Sequence, residues 1–369
     1  MVQRILILGG QGRIGSAVAA DLLQYTQTDV TITGRSFKDT SEQTQPRCHF
    51  IALELADHSQ VEAAIADHDL VIHCAGPFRY RDDHVLQSCI RAGVPYLDVA
   101  DNPGYVQQLQ THQEEAQAAG VTAIASTGIF PGISNSMVLQ GVEQLEEAET
   151  VHLSYVVAGS GGAGVTVMRT TFIELQHPFP AWIDNQWQTM QPYSDREVIE
   201  FPAPFGRCGV YWFHTIEARM LPASFPVKTL ITKFGSVPDV YNHMTWMMAH
   251  WLPKGVLRSP ATVEFLAKVS HRMTEMTERF SGNGVAMRLE IKGQKADQPA
   301  RYLSTFVHLD TAIAAGAGTG SVAQLVLSGQ LHKPGVWMVE QALSTDLFLE
   351  TLQQRGLEVQ QQVETPLSV

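Results

Sequence analysis

The chain has 369 residues, of which 44% are hydrophobic and 17% charged, with a net charge of −12. This composition excludes a disordered chain, and the length suits two domains with a core in each. The acidic balance excludes nucleic acid as a partner, because phosphate contacts need a basic surface.

Arg4–Leu8 is a short apolar run, as expected of a strand buried on both faces of a parallel sheet. A glycine turn follows, then Ser16–Leu23 with apolar residues at helical spacing. Val30–Thr33 reads as a strand, Val61–Ile65 as a helix, Leu70–Cys74 as a buried strand and Asp83–Ala92 as a helix. Tyr96–Val99 reads as a strand, Gln107–Ala119 as one amphipathic helix and Val121–Ser126 as a strand. Such alternation predicts an α/β fold, a Rossmann-type doubly wound parallel sheet. Beyond Gly128 the pattern changes. Thr150–Ala158, Val165–Leu175, Val227–Phe234, Val285–Lys292 and Ala300–Leu309 read as strands of a mainly antiparallel sheet. Val240–Leu266 reads as helical and Thr319–Ser328 as a helix preceded by a glycine-rich loop, Gly316–Gly320. Thr345–Gly356 reads as a helix with a glycine cap, and the chain beyond Val359 as frayed. The expected organisation is a nucleotide-binding Rossmann domain over 1–130 and an α+β substrate and dimerisation domain over 131–331. The segment 332–369 is expected to pack back on the first domain.

The turn Gly9-Gly10-Gln11-Gly12-Arg13-Ile14-Gly15 contains GxGxxG, follows a buried strand and opens a helix. That context is what a dinucleotide needs. Gly10 permits the tight turn, Gly12 lets backbone approach a pyrophosphate, and Gly15 lets helix and strand pack closely. Free N–H groups at the helix start then face the phosphates. Twenty residues after Gly15 stands Arg35, followed by Ser36 and Lys38, where NAD enzymes place an acid for the ribose hydroxyl. A guanidinium there suits a 2′-phosphate, so NADP(H) is preferred and NAD(H) remains possible.

Leu70-Val-Ile-His-Cys-Ala-Gly-Pro-Phe78 and Cys89-Ile-Arg-Ala-Gly-Val-Pro-Tyr-Leu-Asp98 resemble segments of the saccharopine dehydrogenase-like oxidoreductases. Gly128-Ile-Phe-Pro-Gly132, with Ser134, is similar to the same family's loop at the sheet edge. More loosely, Gly159–Gly164 and the closing Gly335–Gly356 stretch match its layout. The resemblance implies hydride transfer between a nicotinamide cofactor and a C=N carbon, or a related C=O or C=C bond. It places Asp57 near the adenine. The small residues Cys74, Ala75, Gly76, Pro77, with Phe78 and Gly128, lie on the rim where a ligand approaches the backbone.

For the reaction itself the candidates are Asp98 and Asp101, which either bind an amine or make loop and helix-cap hydrogen bonds. His214 and Glu217, three residues apart, either meet in a cleft or form a structural pair. His73 reads as a core histidine, and Cys74 and Cys89 as small core hydrophobes. The Met/Trp-rich run Tyr241–Leu252 leaves four roles open: greasy pocket, subunit interface, core helix or membrane-surface contact, the last disfavoured by its few basic residues. No arginine of the second half falls in a carboxylate-gripping motif, so an imine of a small or partly apolar metabolite is expected rather than saccharopine itself. A non-catalytic NADP(H)-binding regulator or scaffold is the alternative. Cys48, Cys74, Cys89 and Cys208 match no zinc spacing, so no metal is expected and the compartment is expected to be cytoplasmic. No membrane span, no secretory leader and a homodimer complete the expectation.

Overall fold

Ile5, Leu6, Ile7 and Leu8 are wholly shielded from solvent, which places the first strand at the centre of a sheet covered on both faces. The computed structural model describes residues 2–37, 45–159, 165–251 and 259–364. In chain order the first elements are β1 (Arg4–Leu8), α1 (Arg13–Tyr25), β2 (Asp29–Gly34), β3 (Cys48–Ala52), α2 (His58–Ala66) and β4 (Leu70–His73). There follow α3 (His84–Ala92), β5 (Tyr96–Asp98), α4 (Pro103–Gln110), α5 (Gln113–Ala118), β6 (Thr122–Ala125) and α6 (Ser134–Glu143). Then come β7 (Glu147–Ala158), α7 (Val165–Glu174), β8 (Phe179–Ile183), β9 (Gln186–Met190), β10 (Glu197–Phe201), β11 (Gly206–Trp212) and α8 (Ile216–Ser224). The chain continues through β12 (Thr229–Val237), α9 (Val240–Trp251), α10 (Pro260–Ser281), β13 (Gly284–Lys295) and β14 (Gln298–His308). It closes with α11 (Thr311–Leu327), β15 (Gly335–Met338), α12 (Val339–Ala342), α13 (Thr345–Gln354) and β16 (Val359–Glu364).

Two units result: Met1–Ser136 with Ala312–Leu357, and Met137–Thr311 with Glu358–Val369. In the first, seven strands run in the order β15-β6-β5-β4-β1-β2-β3. Every neighbouring pair is parallel. The chain leaves β1 in opposite directions toward β2 and β4, so the switch point of this Rossmann sheet lies between β1 and β4. The expected boundary near 331 thus moves to about 311, because α11 packs on α1 and β15 extends the sheet beside β6.

The second unit is built on a mixed sheet, order β10-β11-β12-β7-β13-β14-β16, with β8 attached at β12 and β9 at β8. Its pairs are antiparallel except β12 with β7. One apolar layer joins Phe172 and Leu175 with Tyr193, Tyr211, Val263 and Ala267.

Four expectations about elements are corrected. Val165–Leu175 is not a strand: α7 covers it, because Phe172 and Leu175, with Met168, lie at helical spacing on the apolar layer and packing overrides the β-branched composition. Gly316–Gly320 is not a loop but the middle of α11. A Cβ at Gly316 would lie 2.7 Å from the Ala17 backbone, so the glycines let α11 sit directly on α1. Gln107–Ala119 is two helices, broken where His112 turns to Asp83 at 2.8 Å and Glu115 at 2.9 Å. The tail is not frayed as far as Glu364: β16 pairs antiparallel with β14, and Glu364 meets Arg301 at 3.3 Å. Of the Met/Trp-rich run, Trp246, Met248 and Ala249 pack on the apolar layer, Met247 and Trp251 are exposed, and Leu252 lies outside the described residues.

One buried ion pair closes the first unit. Arg355, after α13, donates to both carboxylate oxygens of Asp21 in α1 at 2.8–3.1 Å and lies over the Tyr25 ring. Burial pushes the Asp21 carboxyl up to about 6 even against this guanidinium. Arg355→Met leaves that carboxyl without its partner, a loss of about 3–5 kcal/mol. Urea unfolding at pH 8 is expected to show it. At pH 5 the loss is smaller, because the stranded carboxyl takes up a proton instead. A loss below ~1 kcal/mol at pH 8 would overturn this reading.

Candidate functional site

The carboxyl ends of β1, β2, β4, β5 and β6 share one edge of the parallel sheet. At the end of β1 the glycine turn is held by its own sterics. Gly9 has φ of +73°, and a Cβ there would lie 2.8 Å from Ala75. Cβ atoms at Gly10 and Gly15 would lie 2.5 Å from Ile32 and 2.4 Å from the Gly9 carbonyl oxygen. Gly12 differs: its added Cβ would meet only that oxygen, at 3.1 Å. Its bare backbone is therefore presented outward. Gly12 also begins α1, with no side chain capping the helix and no acid in the first turn. The N–H groups of Arg13 and Ile14 in the first turn of α1 have no partner within the helix and offer partial positive charge to an anion. The Thr33 hydroxyl accepts from Gly9 N–H at 3.0 Å and ties the turn to β2.

The loop after β4 is clamped from two sides. His73, 1% exposed, accepts from the Ala75 N–H through Nδ1 at 3.2 Å. Burial, with the Arg81 charge nearby, pulls its pKa down to about 3, so the ring is neutral. Arg81 donates to the Ala75 carbonyl at 2.7 Å and to the Gly76 carbonyl at 3.2 Å. Phe78 is buried between the rings of His73 and Tyr105, at 5.1 Å from each. Ala75, Gly76 and Pro77 are thereby held against Gly9 with little freedom. Cys74 is partly exposed at the strand end, and burial of its sulfur together with the Asp98 charge pushes the thiol well above its usual range.

Asp98 ends β5 and is fully buried. Its carboxylate accepts from Ser126 N–H at 2.7 Å, Ala100 N–H at 2.9 Å and the Tyr96 hydroxyl at 3.0 Å. Its own carbonyl accepts from the Thr127 hydroxyl at 2.8 Å. One side chain thus pins the loops after β5 and β6. Burial pushes its carboxyl up to about 6, against those donors. Asp101 stands differently. The cap of α4 is Asn102, whose side chain accepts from Tyr105 N–H at 3.0 Å, so the cap reading of Asp101 is not met. Asp101 is exposed as a residue, but burial of its carboxyl raises its pKa, with a hydrogen bond from its own backbone and the Arg79 charge acting against that.

Arg35 and Ser36 lie exposed just past β2, on the same edge as the glycine turn, and Lys38 lies outside the described residues. Asp57 caps α2, accepting from Gln60 N–H at 3.2 Å and the Ser59 hydroxyl at 2.8 Å. Gly128 is buried, its carbonyl against the position where a Cβ on Gly318 would stand. In the second unit His214 holds Glu174 through Nδ1 at 2.8 Å and stacks on Phe179. His214 precedes the helix that contains buried Glu217, since α8 begins at Ile216 with Thr215 as its cap, so the two do not share a helical turn. Thr33, Arg81, Tyr96 and Ser126 were not singled out by sequence. Arg81 stands three residues after Phe78, and nothing in that spacing announces a clamp. Among the described residues no cluster suits a metal ion, and no helix is long and apolar enough to cross a membrane.

Residues 5–124 match the family model of the saccharopine dehydrogenase NADP binding domain. Residues 5–124 thus carry a nucleotide-binding domain of the saccharopine dehydrogenase kind, and the chain is similar over most of its length to enzymes named as synthases and dehydrogenases. It is 24% identical to carboxynorspermidine synthase of Vibrio cholerae, over 94% of each chain. It is 24% identical to carboxyaminopropylagmatine dehydrogenase of Synechocystis, over 96% of each. Among solved structures it shares its fold with saccharopine dehydrogenase (L-Glu forming) of Saccharomyces cerevisiae, with a TM-score of 0.75, 14% identity, and 98% and 100% of the two chains covered. It likewise shares its fold with homospermidine synthase of Legionella pneumophila in complex with NAD, with a TM-score of 0.66, 11% identity, and 100% and 93% covered.

Two outcomes follow from this geometry. Arg81→Ala releases two carbonyls of the β4 loop and is expected to weaken NADPH binding by about tenfold, read by fluorescence titration. An unchanged affinity would show that the clamp does not shape the cofactor site. Asp98 has a folded-state pKa raised above its unfolded value, so its favourable linkage is full below about pH 4 and lost as pH rises through about 6. In Asp98→Asn that loss is absent. Between pH 4 and 7 the stability of wild type should fall relative to the variant by up to ~3 kcal/mol. Parallel pH profiles would refute the shift.

Proposed function

We propose that the chain is an NADPH-dependent reductase of an imine, formed between an amine of the polyamine or amino-acid kind and a small carbonyl compound. The observation that carries this reading is the reach of the likeness. Two relatives named for carboxylated polyamine derivatives match over 94–96% of this chain, through the second unit as well as the nucleotide-binding one. The net charge of −12 supports it too, since an acidic molecule draws cationic amines toward itself.

The residues of the first unit suit the cofactor. The uncapped start of α1 and the bare Gly12 receive the pyrophosphate. Arg35, exposed one residue beyond β2 with no acid in its place, pairs with a 2′-phosphate, and Ser36 adds a hydroxyl. That is the basis for preferring NADPH over NADH. The bound nicotinamide supplies the hydride. The clamped loop Ala75–Phe78 is the backbone against which the nicotinamide half would rest. Asp101 attracts the amine of the substrate, while Asp98 acts as a positioning residue beneath it. His214, held by Glu174 at 2.8 Å, is the second unit's candidate proton donor, with Glu217 buried close by in sequence. The substrate is a small molecule.

The test is oxidation of NADPH with a panel of amines and carbonyl compounds. Turnover is expected only when both are present. Turnover of an enone or a carbonyl compound alone would sink the imine reading, and tight binding with no turnover would favour a cofactor-binding regulator. Arg35→Ala is expected to raise the KM for NADPH by about tenfold and leave that for NADH unchanged. Equal affinities of the wild type for the two nucleotides would refute the preference. Asp101→Asn should raise the KM for the amine by about tenfold with a smaller effect on kcat.

A further inference from the structure

The helix α10 has two faces of different character. Val263, Ala267 and Thr274 are buried on the unit's own core. On the opposite face Phe265 is 65% exposed, Val269 37% and Met276 74%. Isolated exposed apolar residues are ordinary, but these are not randomly spaced. Positions 265, 269, 272 and 276 follow the alternating four-and-three spacing of a coiled-coil seam. Arg272 fills the remaining seam position, where its aliphatic stem can cover apolar neighbours. Along one flank of the seam lie Lys268 and Glu275, both solvent-exposed, with Glu264 at 3.3 Å from Lys268 and His271 at 3.5 Å from Glu275 on the same helix; surface pairs of this kind are weak enough to be exchanged for a partner across an interface.

We propose that α10 is a two-fold interface between two copies of this chain, its seam packed antiparallel against the partner's. The charges select this occupant and this direction. With the axis passing between Ser270 and His271, midway along the helix, Phe265 faces the partner's Met276 and Val269 faces the partner's Arg272. In an antiparallel pair equivalent flanks face one another. Lys268 then meets the partner's Glu275, and Glu275 meets the partner's Lys268. A parallel pair brings neither charge to its opposite. One self-complementary patch used twice is what a closed two-fold dimer requires. A membrane surface fits less well, because the flank of the seam carries acid and base together and the molecule is strongly acidic. Val240, Met247 and Trp251 add exposed apolar surface on α9, which is tied to α10 by the Tyr241 hydroxyl donating to the Met273 carbonyl at 3.0 Å. This inference is independent of the substrate reading.

Sedimentation of the full chain over a range of concentrations tests it. The wild type is expected to pass from monomer to dimer. Phe265→Asp with Met276→Asp should leave a monomer, with the thermal unfolding midpoint and NADPH affinity retained. Lys268→Glu or Glu275→Lys alone places like charges together twice per dimer and should weaken association by about tenfold. The double swap restores opposite charges and should recover wild-type association. These two residues are exposed, so their variants fold even if the seam variants do not. A monomer at every concentration would overturn the proposal. So would a dimer indifferent to the swaps, a double swap no better than the singles, or a monomer that binds anionic phosphatidylserine vesicles through the seam.

Discussion

The turn between β1 and α1 leaves no room for side chains. Three separate pieces of chain converge there: the Ile32 side chain of β2, the Ala75 backbone after β4 and the turn's own carbonyl at Gly9. Each comes so close that an added Cβ would stand 2.4–2.9 Å from heavy atoms. Bare backbone at Gly9, Gly10 and Gly15 is therefore a packing requirement, and it brings three strand ends together. Gly12 is under much weaker internal constraint, which leaves its bareness for a ligand. The GxGxxG pattern combines these two demands, and the structure separates them.

The same constraint repeats on the outer face of α1. Gly316 and Gly320 of α11 leave space for Ala17 and Asp21, and Gly318 for the Gly128 carbonyl. α1 is therefore packed backbone-close on two sides, against the turn and against α11. Arg355 then locks α13 to Asp21. These partners come from beyond residue 311, after every strand of the second unit's sheet except β16. The nucleotide-binding unit is incomplete until the chain returns, so its last contacts are of very long sequence separation and carry the entropy cost of closing that loop.

Much of the parallel sheet was legible in sequence, because fully buried strands are short apolar runs and their turns carry glycine and proline. β3 and β15 were missed: Cys48–Ala52 mixes a cysteine and a histidine into a half-exposed strand, and β15 is only four residues long. α11 was truncated because glycine is a poor helix former, and only the neighbouring α1 shows why Gly316, Gly318 and Gly320 belong inside a helix. α7 was misread because β-branched residues dominate its sequence, while its helical face becomes visible only against Tyr193 and Tyr211. The rim loops were legible from small residues at strand ends. The clamps that hold them were not, since His73 and Arg81 act on backbone atoms and backbone partners leave no mark on residue spacing.

The two aspartates on the rim have opposite standing, and burial decides which can meet a substrate. Asp98 already has three donors on its carboxylate and none of its surface open, so an amine could approach only by displacing the bonds that order the loops after β5 and β6. Each such buried bond to a charged group contributes about 1.5–3 kcal/mol, more than a solvated ammonium gains from a single new contact. Asp101 has been relieved of its expected duty, because Asn102 caps α4. It stands three residues along the same loop, an exposed residue whose carboxyl is itself partly shielded. The fixed aspartate thus sets the course of the loop that carries Asp101.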